Sequence, residues 1–206
     1  MDKNWRPPVH IISSVIVVTF LAASLFDGEL VKCPLNPVAA DLSVDVNFYF
    51  THTGVQAVPG STLNTISQPR VLLFLSYEEF PAFSTDLINH AKLSFVFEVI
   101  AGYLIMFTMI GALAPTTFST MVLKSMATLA AASAIIAATM NSILINDAGK
   151  LVLADFDPIA TSDLMSVTSS PVTIGTCVMA RAGIYAWVAA GLWLLIFLDG
   201  WRSMRK

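Results

Sequence analysis

The chain has 206 residues, 56% of them hydrophobic and only 12% charged, with a net charge of -3 and a mean hydropathy of +0.74. Soluble domains carry about 25% charged residues, so this composition points to an integral membrane protein. The 11 Lys and Arg residues form no basic stripe, which excludes nucleic acid as a partner.

Four apolar segments satisfy the requirement of about 20 mostly apolar residues for a membrane-crossing helix: 9–26, 93–114, 121–145 and 177–198. The first, with Lys3 and Arg6 before it and Ala22, Ala23 and Ser24 near its end, can also be read as a secretory signal; it is expected to be a retained span. Lys3 and Arg6, Lys124, and Arg202, Arg205 and Lys206 fall on one side if the chain crosses four times. By the positive-inside rule both termini are then cytoplasmic, with outer loops at 27–90 and 146–176. Trp5, Trp201 and Trp193 read as anchors at the inner interface, and Asp199 and Arg202 as a surface pair.

Within the first outer loop, residues 42–50 alternate Leu42, Val44, Val46, Phe48 and Phe50 with Ser43, Asp45, Asn47 and Tyr49, the pattern of a strand with one buried face. Further strands are predicted at 55–58 and 70–77, bounded by turn residues, and at 150–157 in the second outer loop, stopped by Pro158. Ser84 or Thr85, followed by Asp86, starts the second helix outside the membrane, and Pro115 ends it. The fold class is therefore a membrane all-α four-helix bundle with a small extracellular antiparallel β-sheet built from the two outer loops, all within one membrane domain.

Small residues let helices approach closely in lipid, where the hydrophobic drive between them is weak. Ala127, Ala130, Ala131, Ala134, Ala137 and Ala138 enrich the third span, and Ala182, Ala186 and Ala190, with Gly183 and Gly191 beside them, form a ridge on the fourth. A tightly packed bundle is expected in preference to a dedicated dimerisation face.

Glu98 and Arg181 are the ionisable residues at membrane depth. Counted from the predicted outer ends of their spans they lie about 8 Å and about 6 Å down, so the expected arrangement is an intramembrane ion pair. Asn141 and, at the rim, Lys92 form the surrounding polar cluster. Such a pair either sets the rotation of two helices or serves an ion, a proton or a lipid headgroup.

Cys33 and Cys177, the two cysteines of the chain, both fall on the outer side; they form a disulfide clipping the long loop to the bundle or are buried as free thiols. Two cysteines outside any CxxC motif build no zinc site, and no metal is expected. His10 and His90 fall near opposite membrane faces and His52 in the outer loop, so no bis-histidine haem site forms, and no cofactor is expected. No catalytic triad, HExxH or phosphate loop is present, and the chain reads as non-enzymatic.

The order of span, stranded loop, two spans, short loop and span resembles the claudin-like tetraspan superfamily, including its fungal PalI-type branch. NFYF at 47–50 and the fourth span's G-IYAW-AAGLWLL carry the likeness. The resemblance implies a left-handed four-helix bundle under a sheet made by both outer loops. The W-GLW-C-C signature of claudins is absent, since the first outer loop has one cysteine and no tryptophan; the family's sheet disulfide and paracellular pore are therefore not implied. The functional expectation is a membrane-domain organiser or accessory subunit, touching lipids and other membrane subunits or copies of itself, most naturally in the plasma membrane. The alternative is a small channel or transporter subunit with a Glu98/Arg181 polar site.

Overall fold

The computed structural model describes residues 7–36, 42–59, 70–76, 85–113, 119–150 and 173–203. Among these, the elements run α1 (Pro7–Asp27), β1 (Glu29–Asn36), β2 (Leu42–Tyr49), β3 (His52–Pro59), β4 (Arg70–Ser76), α2 (Thr85–Leu113), α3 (Thr120–Ala148), β5 (Thr173–Ile174), β6 (Val178–Met179) and α4 (Arg181–Ser203). The chain is mostly helical, with one small antiparallel sheet. The strand expected at 150–157, the anchor Trp5 and the side chains of Trp201 and Arg202 lie outside the described residues.

The α2, α3 and α4 helices are each long and apolar enough to cross a membrane. In α1 the apolar stretch among the described residues, Ile11–Asp27, falls short of that length. Two compact units divide the chain: Met1–Gly28, Leu93–Met140 and Arg181–Lys206 form a helical unit, and Glu29–Lys92 with Asn141–Ala180 form a sheet-containing unit.

Local chemistry sets the helix ends. Pro7 and Pro8 open α1, where a missing N–H costs nothing because first-turn donors have no helical acceptor. Gly28 closes it: its φ is 68°, and its N–H donates to the Ser24 carbonyl at 2.9 Å. This left-handed cap suits a residue without Cβ. Gly28→Ala is expected to cost about 1 kcal/mol, measured by denaturation, whereas Gly28→Asn should recover part of the loss; equal stability of all three would show that the cap contributes nothing. Ahead of α3, the Ser119 side chain accepts from Val122 N–H at 3.3 Å and its carbonyl from Leu123 N–H at 3.2 Å, a side-chain and backbone N-cap.

In the helical unit, α1 runs antiparallel along α4. The buried Ser24 hydroxyl donates to the Ala182 carbonyl at 2.9 Å, which requires close approach of the two helices. Ala182, Ala186 and Ala190 are buried, and so is Gly183, so the ridge read from the sequence faces a neighbouring helix. The core joins Val17 and Leu21 of α1, Ala101 and Ile105 of α2, the alanines of α3, and Trp193 of α4.

Trp193 corrects an expectation. It is 4% exposed, and its Nε1 donates to the Ala127 carbonyl of α3 at 3.2 Å, so it is a core residue and not an interfacial anchor. An indole is buried at low cost when its single donor finds an acceptor, and the alanines facing it leave the volume it occupies.

The sheet order is β4-β3-β2-β1-β5, with β6 also on β1. The strands expected at 42–50, 55–58 and 70–77 correspond to β2, β3 and β4. Missing from the sequence reading is β1, where Val31, Cys33 and Leu35 alternate with Lys32, Pro34 and Asn36. It pairs with β2 on one side and β5 and β6 on the other. The face of β2 expected to be solvated is also covered: Asp45 and Asn47 are 6% and 2% exposed. Asp45 is compensated there by Lys32, whose Nζ lies 2.7 Å from Oδ2.

Candidate functional site

Inside the helical unit the polar feature is a cluster on α2 and α3. Ser94 and Glu98, one turn apart on α2, both have no exposed surface. Ser94 Oγ lies 3.4 Å from Glu98 Oε1 and 3.4 Å from the Ala137 carbonyl of α3, so one hydroxyl is shared at long range between a carboxyl and a backbone acceptor. A buried carboxyl in a helix of membrane-crossing length is the residue type that marks ion or proton pathways and fixed helix registers.

Arg181 does not join it. It is the exposed first residue of α4, and among the described residues no ion pair links it to Glu98. The expected pairing is therefore corrected, and its cause lies four residues upstream. Residues 177–180 are apolar enough to count as helix, yet Val178 and Met179 pair with Lys32 and Val31 of β1, and Ala180 N–H donates to Leu30 O at 2.9 Å. The helix begins only after that ladder ends, so Arg181 never descends along it. A cation in a first turn gains nothing from the helix dipole, which agrees with a side chain left at the surface. Asn141 is fully buried and Lys92 is exposed.

In the sheet-containing unit Cys33 and Cys177 form a disulfide, with Cα atoms 4.2 Å apart. Extending the β1–β6 register by one pair sets them directly opposite each other, and the short separation is that of a non-hydrogen-bonded antiparallel pair. The bond ties β1, just after α1, to the segment that leads into α4.

Sequence reasoning missed the contact of His90 with Asp147. His90 Nδ1 of α2 lies 2.7 Å from Asp147 Oδ2 of α3, and Lys150 Nζ lies 3.7 Å from Asp147 Oδ1. Pairing residues outward along the antiparallel helices would have exposed it. Gly111 faces Leu123, Ser94 reaches Ala137, and the same progression carries His90 to Asp147.

At the end of the β2–β3 hairpin, the rings of Tyr49 and His52 stack with centroids 4.4 Å apart and an interplanar angle of 10°. Burial lowers the pKa of His52 below its ordinary value of 6.5. The folded state then holds this proton less readily than the unfolded chain, so the stability contribution is complete above pH 6.5 and declines as pH falls below it, levelling off under the folded pKa. Denaturation at pH 7.5 and pH 5 should show a drop that His52→Phe reduces; an unchanged drop in the variant would assign it to other groups.

No family model matches the chain, and no curated protein matches it.

Proposed function

We propose that the chain is a non-enzymatic four-span integral membrane protein that acts through lateral contacts with lipid and with other membrane subunits, as an organiser of a membrane domain or an accessory subunit of a larger assembly. The observation that carries this reading is the division of polarity in the helical unit. Ser24, Ser94, Glu98 and Trp193 are turned inward, while Ile16, Val96, Phe107, Ile184, Trp187 and Leu195, among others, are exposed. What such a unit offers its surroundings is a lateral apolar surface, and patches of this extent mark membrane or protein contact.

In this reading α1 is the fourth span, both termini are cytoplasmic, and the sheet-containing unit is outside a plasma membrane. The basic residues at both ends and at Lys124 support that orientation, and the disulfide supports an oxidising compartment for the sheet. The claudin-like resemblance agrees with the element order and adds no activity.

A second reading, a channel or transporter subunit, draws on the buried Glu98 alone. Two measurements decide between them. Purification in mild detergent should recover a stoichiometric assembly, and proteoliposomes of the wild type should show no cation or proton flux beyond Glu98→Gln. Flux that disappears in Glu98→Gln would replace the first reading with the second.

A further inference from the structure

Four exposed hydroxyls on the described helices of the helical unit share one arrangement. Thr19, Ser125, Thr128 and Thr139 each donate to the carbonyl four residues earlier in their own helix, at 2.8 to 3.0 Å. A short side chain can satisfy itself in this way, and a lipid-facing position then leaves no polar group bare. Tyr103 of α2 cannot, because its hydroxyl stands a ring's length from the backbone. It is 63% exposed, and among the described residues its hydroxyl has no hydrogen-bond partner.

Its depth makes this costly on the membrane-spanning reading, on which the inference rests. Tyr103 stands midway between Leu93 and Leu113, about 15 Å of helix rise from each. A tyrosine hydroxyl gains its usual benefit at the membrane interface, where water is close; at the centre there is none. Around Tyr103 the exposed side chains Leu93, Val96, Ile100, Phe107 and Ile110 fall at alternating spacings of three and four, the period of a two-helix seam. The apolar stripe alone is what any lipid-facing helix presents. The hydroxyl at its centre is what calls for a partner.

We infer that this face of α2 pairs with the same face of a second copy of the chain. Two copies inserted in one orientation are related by a two-fold axis along the membrane normal, which brings both Tyr103 hydroxyls to equal depth on that axis. A hydroxyl is both donor and acceptor, so one Tyr103 donates to the other and no other residue need be supplied.

The chain's cysteines are both in the disulfide, so Tyr103→Cys introduces a free thiol alone of its kind. Oxidation in native membranes should link Tyr103→Cys into a species of twice the chain mass, while Leu195→Cys, 65% exposed on α4, stays monomeric. Energy transfer between labelled wild-type chains should report a dimer weakened about threefold by Tyr103→Phe, the effect of one average interhelical hydrogen bond. A monomeric Tyr103→Cys, equal linking at Leu195→Cys, or linking only to a different polypeptide would each overturn the pairing. Extraction of the chain by alkaline carbonate would instead show that the membrane-spanning reading itself fails.

Discussion

Trp193→Ala is expected to destabilise the helical unit by about 3–5 kcal/mol, the range for removing a buried tryptophan from a packed core. The reason is local. Trp193 is the largest side chain in a core otherwise built from Val17, Leu21, Ile105 and alanines of α2, α3 and α4, so removing it leaves a cavity that partly buried neighbours such as Met109 and Leu192 fill only in part. In lipid the loss is mainly of dispersion contacts, since the bilayer supplies little hydrophobic drive between helices. Trp193→Phe keeps most of the volume and removes the bond to Ala127 O, and should cost about 1 kcal/mol. Unfolding in mixed detergent micelles measures both. A loss below about 1 kcal/mol for the alanine variant would mean that the helices close over the gap.

Breaking the Cys33–Cys177 bond should cost about 2–4 kcal/mol. Its 144-residue separation sets an upper expectation of about 5 kcal/mol if the unfolded chain were a free coil. On the proposed membrane-spanning reading, inserted helices already restrict that chain, so the smaller figure applies. Cys33→Ala, Cys177→Ala and the double variant each remove the same bond and should lose nearly the same stability, which reductant should reproduce in the wild type. Losses that add between the single variants would show that the cysteines act separately, through burial of their own.

Both predictions concern residues whose type was visible in the sequence and whose role was not. The two cysteines could be named as a pair to test, yet their opposition follows from β1 and β6 lying side by side, a pairing that the alternation within β1 does not record. Val31 and Cys33 are buried on one phase of that alternation and Lys32 and Pro34 half-buried on the other, and Pro34 is the residue that argues against an interior strand from sequence alone. Trp193 was assigned to the membrane interface by residue type, and only the nearby Ala127 carbonyl makes its burial affordable.

The apolar helices, the alternating strand at 42–50 and the alanine ridge of α4 are legible in the amino-acid order, because each is written in local periodicity: about 3.6 for a helix and 2 for a strand. That order also marks Glu98 and Arg181 as charges out of place. Tertiary structure alone decided that Glu98 shares Ser94 with Ala137, that Arg181 stays at the surface, and that α4 begins where the ladder to β1 ends. Apolar residues at 177–180 are compatible with helix or strand. The choice was made by backbone donors and acceptors nearly 150 residues away, which no local pattern records.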